Sequence, residues 1–145
     1  ERSPEVFWTR AAMDASGVDF CLDVHGDEEL PYNFLSGCEG IDGYAASRLP
    51  TLCGVFAAAY ERANPDLQHE HGYPIDEPGT ANMTMCTNAV ADRFQCPAYT
   101  LEMPFKDNAN APDPLCGWSP QRSALLGASS VDALFHLAEA FEETD

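Results

Sequence analysis

Two runs rich in β-forming residues, 18–25 and 97–103, stand between segments whose apolar residues recur at helical spacing. That alternation is the strongest constraint on the chain. Helices that separate strands in sequence pack on the faces of a predominantly parallel sheet, so the expected class is an α/β layered domain. No internal repeat, low-complexity tract or linker divides the 145 residues, which suit one domain or part of one.

The first helix is expected from Ser3-Pro4-Glu5, a cap residue followed by proline at the first helical position, and Gly17 stops it. Val6, Phe7, Ala11 and Ala12 would form its apolar face. Residues 42–64 read as a core-facing helix through Leu49, Leu52, Cys53, Phe56 and Tyr60, with Pro50 at a first turn or kink and Asn64-Pro65 at the end. Residues 83–94 form the next helix. Ser119-Pro120 opens the last, with Leu125, Leu126, Ala128, Val131, Leu134, Phe135, Leu137 and Phe141 on its apolar side. The Gly-, Pro- and Asp-rich stretches 26–43, 66–82 and 104–118 read as loops, with one short strand near 67–70.

Composition narrows the partners. With 24 acidic against 7 basic residues the formal charge is −17. Such a field repels phosphate backbones and anionic headgroups, so nucleic acid and a membrane surface are not expected partners, while cationic partners and metal ions remain open. The longest apolar runs, such as 55–60, are far shorter than a bilayer span. Six dispersed cysteines, Cys21, Cys38, Cys53, Cys86, Cys96 and Cys116, include no C-x-x-C pair. They read as free thiols of a chain with its own core, which places the expected location in the cytoplasm.

Asp23-Val24-His25-Gly26-Asp27-Glu28 gathers one imidazole and three carboxylates at the end of the first strand, a plausible metal corner. Spacing alone leaves His25 open between a structural histidine and a ligand, and His25 with Glu28 also fits H-x-x-E. Glu102, flanked by Leu101, Met103 and Phe105, suits a desolvated general base. Strand alternation opposes this, because it places Glu102 on the face away from Tyr99, Leu101 and Met103, where exposure is the plain expectation. His69-Glu70-His71 is a weaker metal candidate, read mostly as loop, and His136 reads as a surface histidine. No G-x-S-x-G, P-loop or G-x-G-x-x-G string occurs.

Two longer stretches are more specific: 19–28 (DFCLDVHGDE) continued by Pro31-Tyr32-Asn33-Phe34, and 100–108 (TLEMPFKDN). With Glu70-His71-Gly72-Tyr73-Pro74 and Gly117-Trp118-Ser119-Pro120, they resemble, over almost the whole chain, bacterial members of the cytosolic-carboxypeptidase branch of the zinc metallocarboxypeptidases. The resemblance implies a three-layer α/β/α fold with a mixed, mostly parallel sheet. It implies His25 as a zinc ligand, with Glu28 in the following loop, and Glu102 as general base and acid. The expected substrate is the C-terminus of a peptide or protein.

The segments that carry the other two ligands and the substrate-binding arginine in that family, of H-P-G-E and N-x-N-R type, do not occur here. Residues 1–145 therefore read as the C-terminal portion of a catalytic domain, with its other half upstream, and the chain alone is expected to be inactive, and aggregation-prone or paired. No tyrosine is assigned a catalytic part. The alternative is a non-catalytic acidic α/β module that binds a cation or a protein partner.

Overall fold

The computed structural model describes residues 2–144. In chain order the elements are α1 (Pro4–Ser16), β1 (Cys21–Asp27), β2 (Phe34–Ser36), a 3-10 turn (Tyr44–Ala46), α2 (Leu49–Ala63), α3 (Cys86–Phe94), β3 (Ala98–Pro104) and α4 (Pro120–Thr144). Proline lies in the first turn of α1 and α2, so Pro50 starts a helix rather than bending one. The segment before it, read as helix, is a loop and a single 3-10 turn entered through Gly43 at φ 75°. α1 ends at Gly17, whose N–H donates to Met13 O at 2.9 Å.

The sheet has the order β1-β3-β2, with β1 parallel and β2 antiparallel to the central β3. It is mixed, as expected, although β2 lies inside a stretch read as loop. Neighbouring residues of β3 face opposite sides. The Tyr99 hydroxyl donates to Cys53 O of α2 at 3.0 Å, and the Thr100 hydroxyl shares a 2.6 Å hydrogen bond with Thr87 of α3. α2 and α3 therefore cover opposite faces of the sheet, and α4 packs outside α2. β1 is an edge strand, and among the described residues no strand pairs with its outer side.

Leu52, Phe56, Tyr60, Tyr99, Leu101, Leu126 and Leu137 form the centre of the core. Each such side chain contributes on the order of 2 kcal/mol through burial. The Tyr60 hydroxyl donates to Leu126 O at 2.9 Å, pinning α2 to α4. One expected apolar face is uncovered and another is covered only in part. No residue of α1 is buried, and Val6, Phe7 and Trp8 are exposed. On α4, Leu126, Ala133 and Leu137 are buried while Leu125, Val131 and Phe135 are exposed. By length and composition α4 over Pro120–Glu142 could cross a bilayer, although it contains no continuous apolar run of that length. Here its buried stripe packs on α2.

Candidate active site

The strand register assembles the site. His25 stands opposite Glu102 across the β1–β3 pair, and Phe34 of β2 stands opposite Glu102 on the other side. Residues two apart on a strand share a face, so Asp23, His25, Asp27, Phe34 and Glu102 lie on one face, toward the carboxyl end of the parallel pair. Sites of α/β proteins concentrate at that end of the strands.

Glu102 is 6% exposed, which corrects the outward position expected from alternation. The reason is topological: β3 is the central strand and is covered on both faces, so alternation does not separate core from solvent. Glu102 Oε2 is buried and has no hydrogen-bond partner among the described residues. Burial pushes this carboxyl above its usual range, against the pull of His25 and with the aid of the Asp27 charge. An unpartnered buried carboxylate oxygen is costly, on the order of 1–3 kcal/mol, so its retention calls for a role.

Asp27, also 6% exposed, is moved the other way. Burial would raise it, but the Glu29 N–H, the Tyr73 hydroxyl and the Leu30 N–H outweigh that and hold it below the usual carboxylate range. Glu29 N donates to Asp27 Oδ1 at 2.8 Å, and the Tyr73 hydroxyl donates to Asp27 Oδ2 at 2.8 Å. The same hydroxyl lies 3.5 Å from Glu102 Oε1. Two buried carboxyls with opposed shifts thus flank one phenol, the kind of split that separates acid from base duties in a site. Tyr73 packs edge-on against Phe34, with ring centroids 4.9 Å apart, and both border a cavity of about 630 Å³ that reaches Glu39 and His71.

His25 is half exposed, and its Nε2 lies 3.2 Å from Asp23 Oδ2. A carboxylate on one ring nitrogen fixes the imidazole and leaves the other nitrogen for a cation. Among the described residues, however, no group of three His, Cys, Asp or Glu side chains could hold a metal. His25 beside the orphaned Glu102 oxygen fits one corner of a zinc site and not a complete one, so further donors would have to come from outside these residues.

The other candidates disperse. Glu28 is exposed in the loop after β1. His69 Nδ1 pairs with Glu61 at 2.6 Å, whereas His71 stacks on Tyr32, centroids 4.2 Å apart. His136 lies 3.5 Å from Glu139 on the surface of α4. Tyr99 belongs to the core. The residue that sequence reasoning left unassigned is Tyr73, whose partners lie 46 and 29 positions away and leave no local signal. Asp27 was detectable, since Asp23-x-His25-x-Asp27 places all three on one face of a strand.

A second network fixes the loop after β3. Arg122 grips Asp66 with Nε on Oδ2 at 3.1 Å and Nη2 on Oδ1, and its guanidinium lies over the Trp118 ring, 4.9 Å from the centroid. Trp118 N donates to Lys106 O at 2.7 Å. Gly117, at φ 64°, permits that closure, because a Cβ there would come within 2.3 Å of Lys106 O.

No family model matches the chain. An uncharacterized protein of Zymomonas mobilis is 46% identical over 143 residues, which are 99% of this chain and 37% of that protein. A solved structure from Shewanella denitrificans, provisionally named carboxypeptidase A, superposes with a TM-score of 0.92 at 51% identity over 95% of this chain and 36% of its own. The metallo-carboxypeptidase from Pseudomonas aeruginosa, solved in complex with (2-guanidinoethylmercapto)succinic acid, gives a TM-score of 0.90 at 42% identity over 94% of this chain and 36% of that one. The chain spans little more than a third of the length of these relatives. In sequence and in backbone, then, it is similar to one part of a metallo-carboxypeptidase.

Proposed function

We propose that these residues form the C-terminal portion of the catalytic domain of a zinc-dependent metallocarboxypeptidase of the cytosolic-carboxypeptidase branch, acting on the C-termini of peptides or proteins in the cytoplasm. The observation that carries the reading is the buried, unpartnered Oε2 of Glu102 opposite His25. His25, oriented by Asp23, would supply one zinc ligand. When bound, zinc with an open position lowers the pKa of its water and polarises a carbonyl. Glu102 accepts a proton on Oε2 and passes it to the departing amine, a task suited to a carboxyl whose pKa burial has raised. The Pseudomonas aeruginosa relative's complex with a succinic acid derivative supports a site for carboxylate-bearing ligands.

The test is peptide hydrolysis and zinc content of the natural polypeptide that carries this chain. Glu102→Gln is expected to lower kcat by about 100-fold or more while zinc stays bound, and His25→Ala to lose zinc. A polypeptide that binds no zinc and is unaffected by Glu102→Gln would favour instead a non-catalytic acidic module. The lack of a three-ligand group among the described residues is the observation on that side.

A further inference from the structure

The cavity beside Tyr73 carries a charge pattern that the reaction chemistry leaves unused. At about 630 Å³ it has the size of a ligand pocket, and Tyr73, bonded to Asp27, and Phe34, opposite Glu102, join it to the candidate site. The buried, unpartnered Oε2 of Glu102 marks the reacting end independently of the cavity. Leu35, Ala57 and Tyr99 give the cavity apolar walls, whereas Glu39, Glu61, Glu70 and Asp76 give it four carboxylates. Glu61 is engaged by His69 at 2.6 Å. Among the described residues no lysine or arginine lines the cavity, and neither Glu39 nor Asp76 has an ion-pair partner. The backbone holds both of these acids in place. Glu39 folds against Gly37: a Cβ on that glycine would stand 2.5 and 2.6 Å from the two carboxylate oxygens, so the bare residue makes their seat. Burial first, with Cys53 and the Glu39 charge adding, pushes the Tyr99 hydroxyl up, which sets Glu39 near the inner wall. Asp76 is brought against Gly40, next in the chain to Glu39, because the Gly79 and Ala81 N–H groups both donate to Gly40 O, at 2.9 and 3.1 Å. Two unneutralised carboxylates at one end of an apolar-walled cavity repel each other, and a cation placed there relieves the repulsion.

We infer that this cavity receives the side chain of a substrate's C-terminal lysine or arginine, with Glu39 and Asp76 as its counter-charges. The inference names a substrate class for the peptidase reading of Glu102 and rests on that reading. The aliphatic stem lies along Leu35 and Ala57 while the cation reaches Glu39. A C-terminal glutamate meets like charge at the same place and is rejected, and an alanine leaves the cavity unfilled.

The test uses the natural polypeptide that carries this chain, loaded with zinc, and peptides alike except for a last residue of Arg, Lys, Ala or Glu. The kcat/KM for Arg and Lys is expected to exceed that for Ala about tenfold or more, with Glu lowest. Glu39→Gln is expected to lower the Arg-to-Ala ratio about tenfold, and Asp76→Asn about threefold. Gly54→Leu alters no charge: Gly54 borders the cavity within α2, a Cβ there meets nothing within 4 Å, and the filled cavity should lower the same ratio. A readout independent of turnover is calorimetric binding of the Arg-ended peptide to the Glu102→Gln protein, which adding Glu39→Gln is expected to weaken about tenfold. Ala or Glu preferred over Arg, or a ratio unmoved by both Glu39→Gln and Gly54→Leu, would overturn the inference. If wild type hydrolyses none of the peptides while the Arg-ended one binds in a Glu39-dependent way, the cation-binding cavity stands and the peptidase reading falls. If Glu102→Gln abolishes hydrolysis but wild type shows no preference for Arg or Lys, the peptidase reading stands and the role of the cavity falls.

Discussion

Asn33 and Asn108 donate to the same acceptor: their side-chain amides lie 3.2 and 3.0 Å from Asp66 O. Both are fully buried, and they belong to the two motifs that carry His25 and Glu102. One carbonyl just past α2 thus ties together the loops that follow β1 and β3. Asn108→Ala removes a buried donor and leaves a void, so unfolding in urea is expected to show a loss of about 2 kcal/mol. A loss below about 0.5 kcal/mol would show that the shared carbonyl does not brace these loops.

The packing of α4 gives a paired prediction. Leu126 is wholly buried, whereas its neighbour Leu125 is 64% exposed. Leu126→Ala is expected to cost about 3 kcal/mol in thermal or chemical unfolding, and Leu125→Ala no more than about 0.5 kcal/mol. Equal losses would mean that a different face of α4 meets α2.

His69 supplies a pH dependence away from the candidate site. Its hydrogen bond to Glu61, then the Glu61 charge, raise the imidazole above its ordinary 6.5. A group whose pKa is higher folded than unfolded stabilises the fold fully below the unfolded value. That contribution is lost as pH rises through the folded one. An NMR titration should therefore find the His69 midpoint above 6.5 and moved downward in Glu61→Gln. Because His69 is exposed, added salt should reduce the difference. A midpoint insensitive to Glu61→Gln would contradict the pairing.

All six cysteines are free; Cys86 and Cys116 are exposed and Cys21, Cys38, Cys53 and Cys96 are buried. A thiol reagent applied to the folded protein should label two sites quickly and six after denaturation. Cys86 should lag behind Cys116, because partial burial and then the Asp23 charge push its thiol up. Rapid labelling of four or more sites in the folded protein would place the core cysteines elsewhere.

Much of the architecture was legible because it is written locally. Pro4 and Pro120 mark two helix starts, Gly17 a helix end, and Leu52, Cys53, Phe56 and Tyr60 keep their helical spacing in the core of α2. β2 was missed because three residues carry no period, and its identity lies in pairing with β3. The exposed side chains of α1 and α4 show the opposite limit: periodicity marks a face able to be buried, not one that is covered.

At the candidate site the motifs led to His25 and Glu102, while the rule of alternation alone would have discarded Glu102. Alternation presumes a sheet with one wet side, and a central strand between α2 and α3 has none. Tyr73 reaches Asp27 and Glu102 from a loop without periodicity, by a fold-level approach that no window of sequence contains.

The free outer edge of β1 bears on more than solubility. Among the described residues the strand that carries His25 pairs on one flank only, and its neighbour Val24 is open to solvent. A polypeptide that completes the ladder there would set how far β1 bows away from β3, and so the tilt of the imidazole relative to Glu102. In this fold the placing of the His25 imidazole relative to Glu102 therefore rests on the pairing of β1 with β3 alone among the described strands.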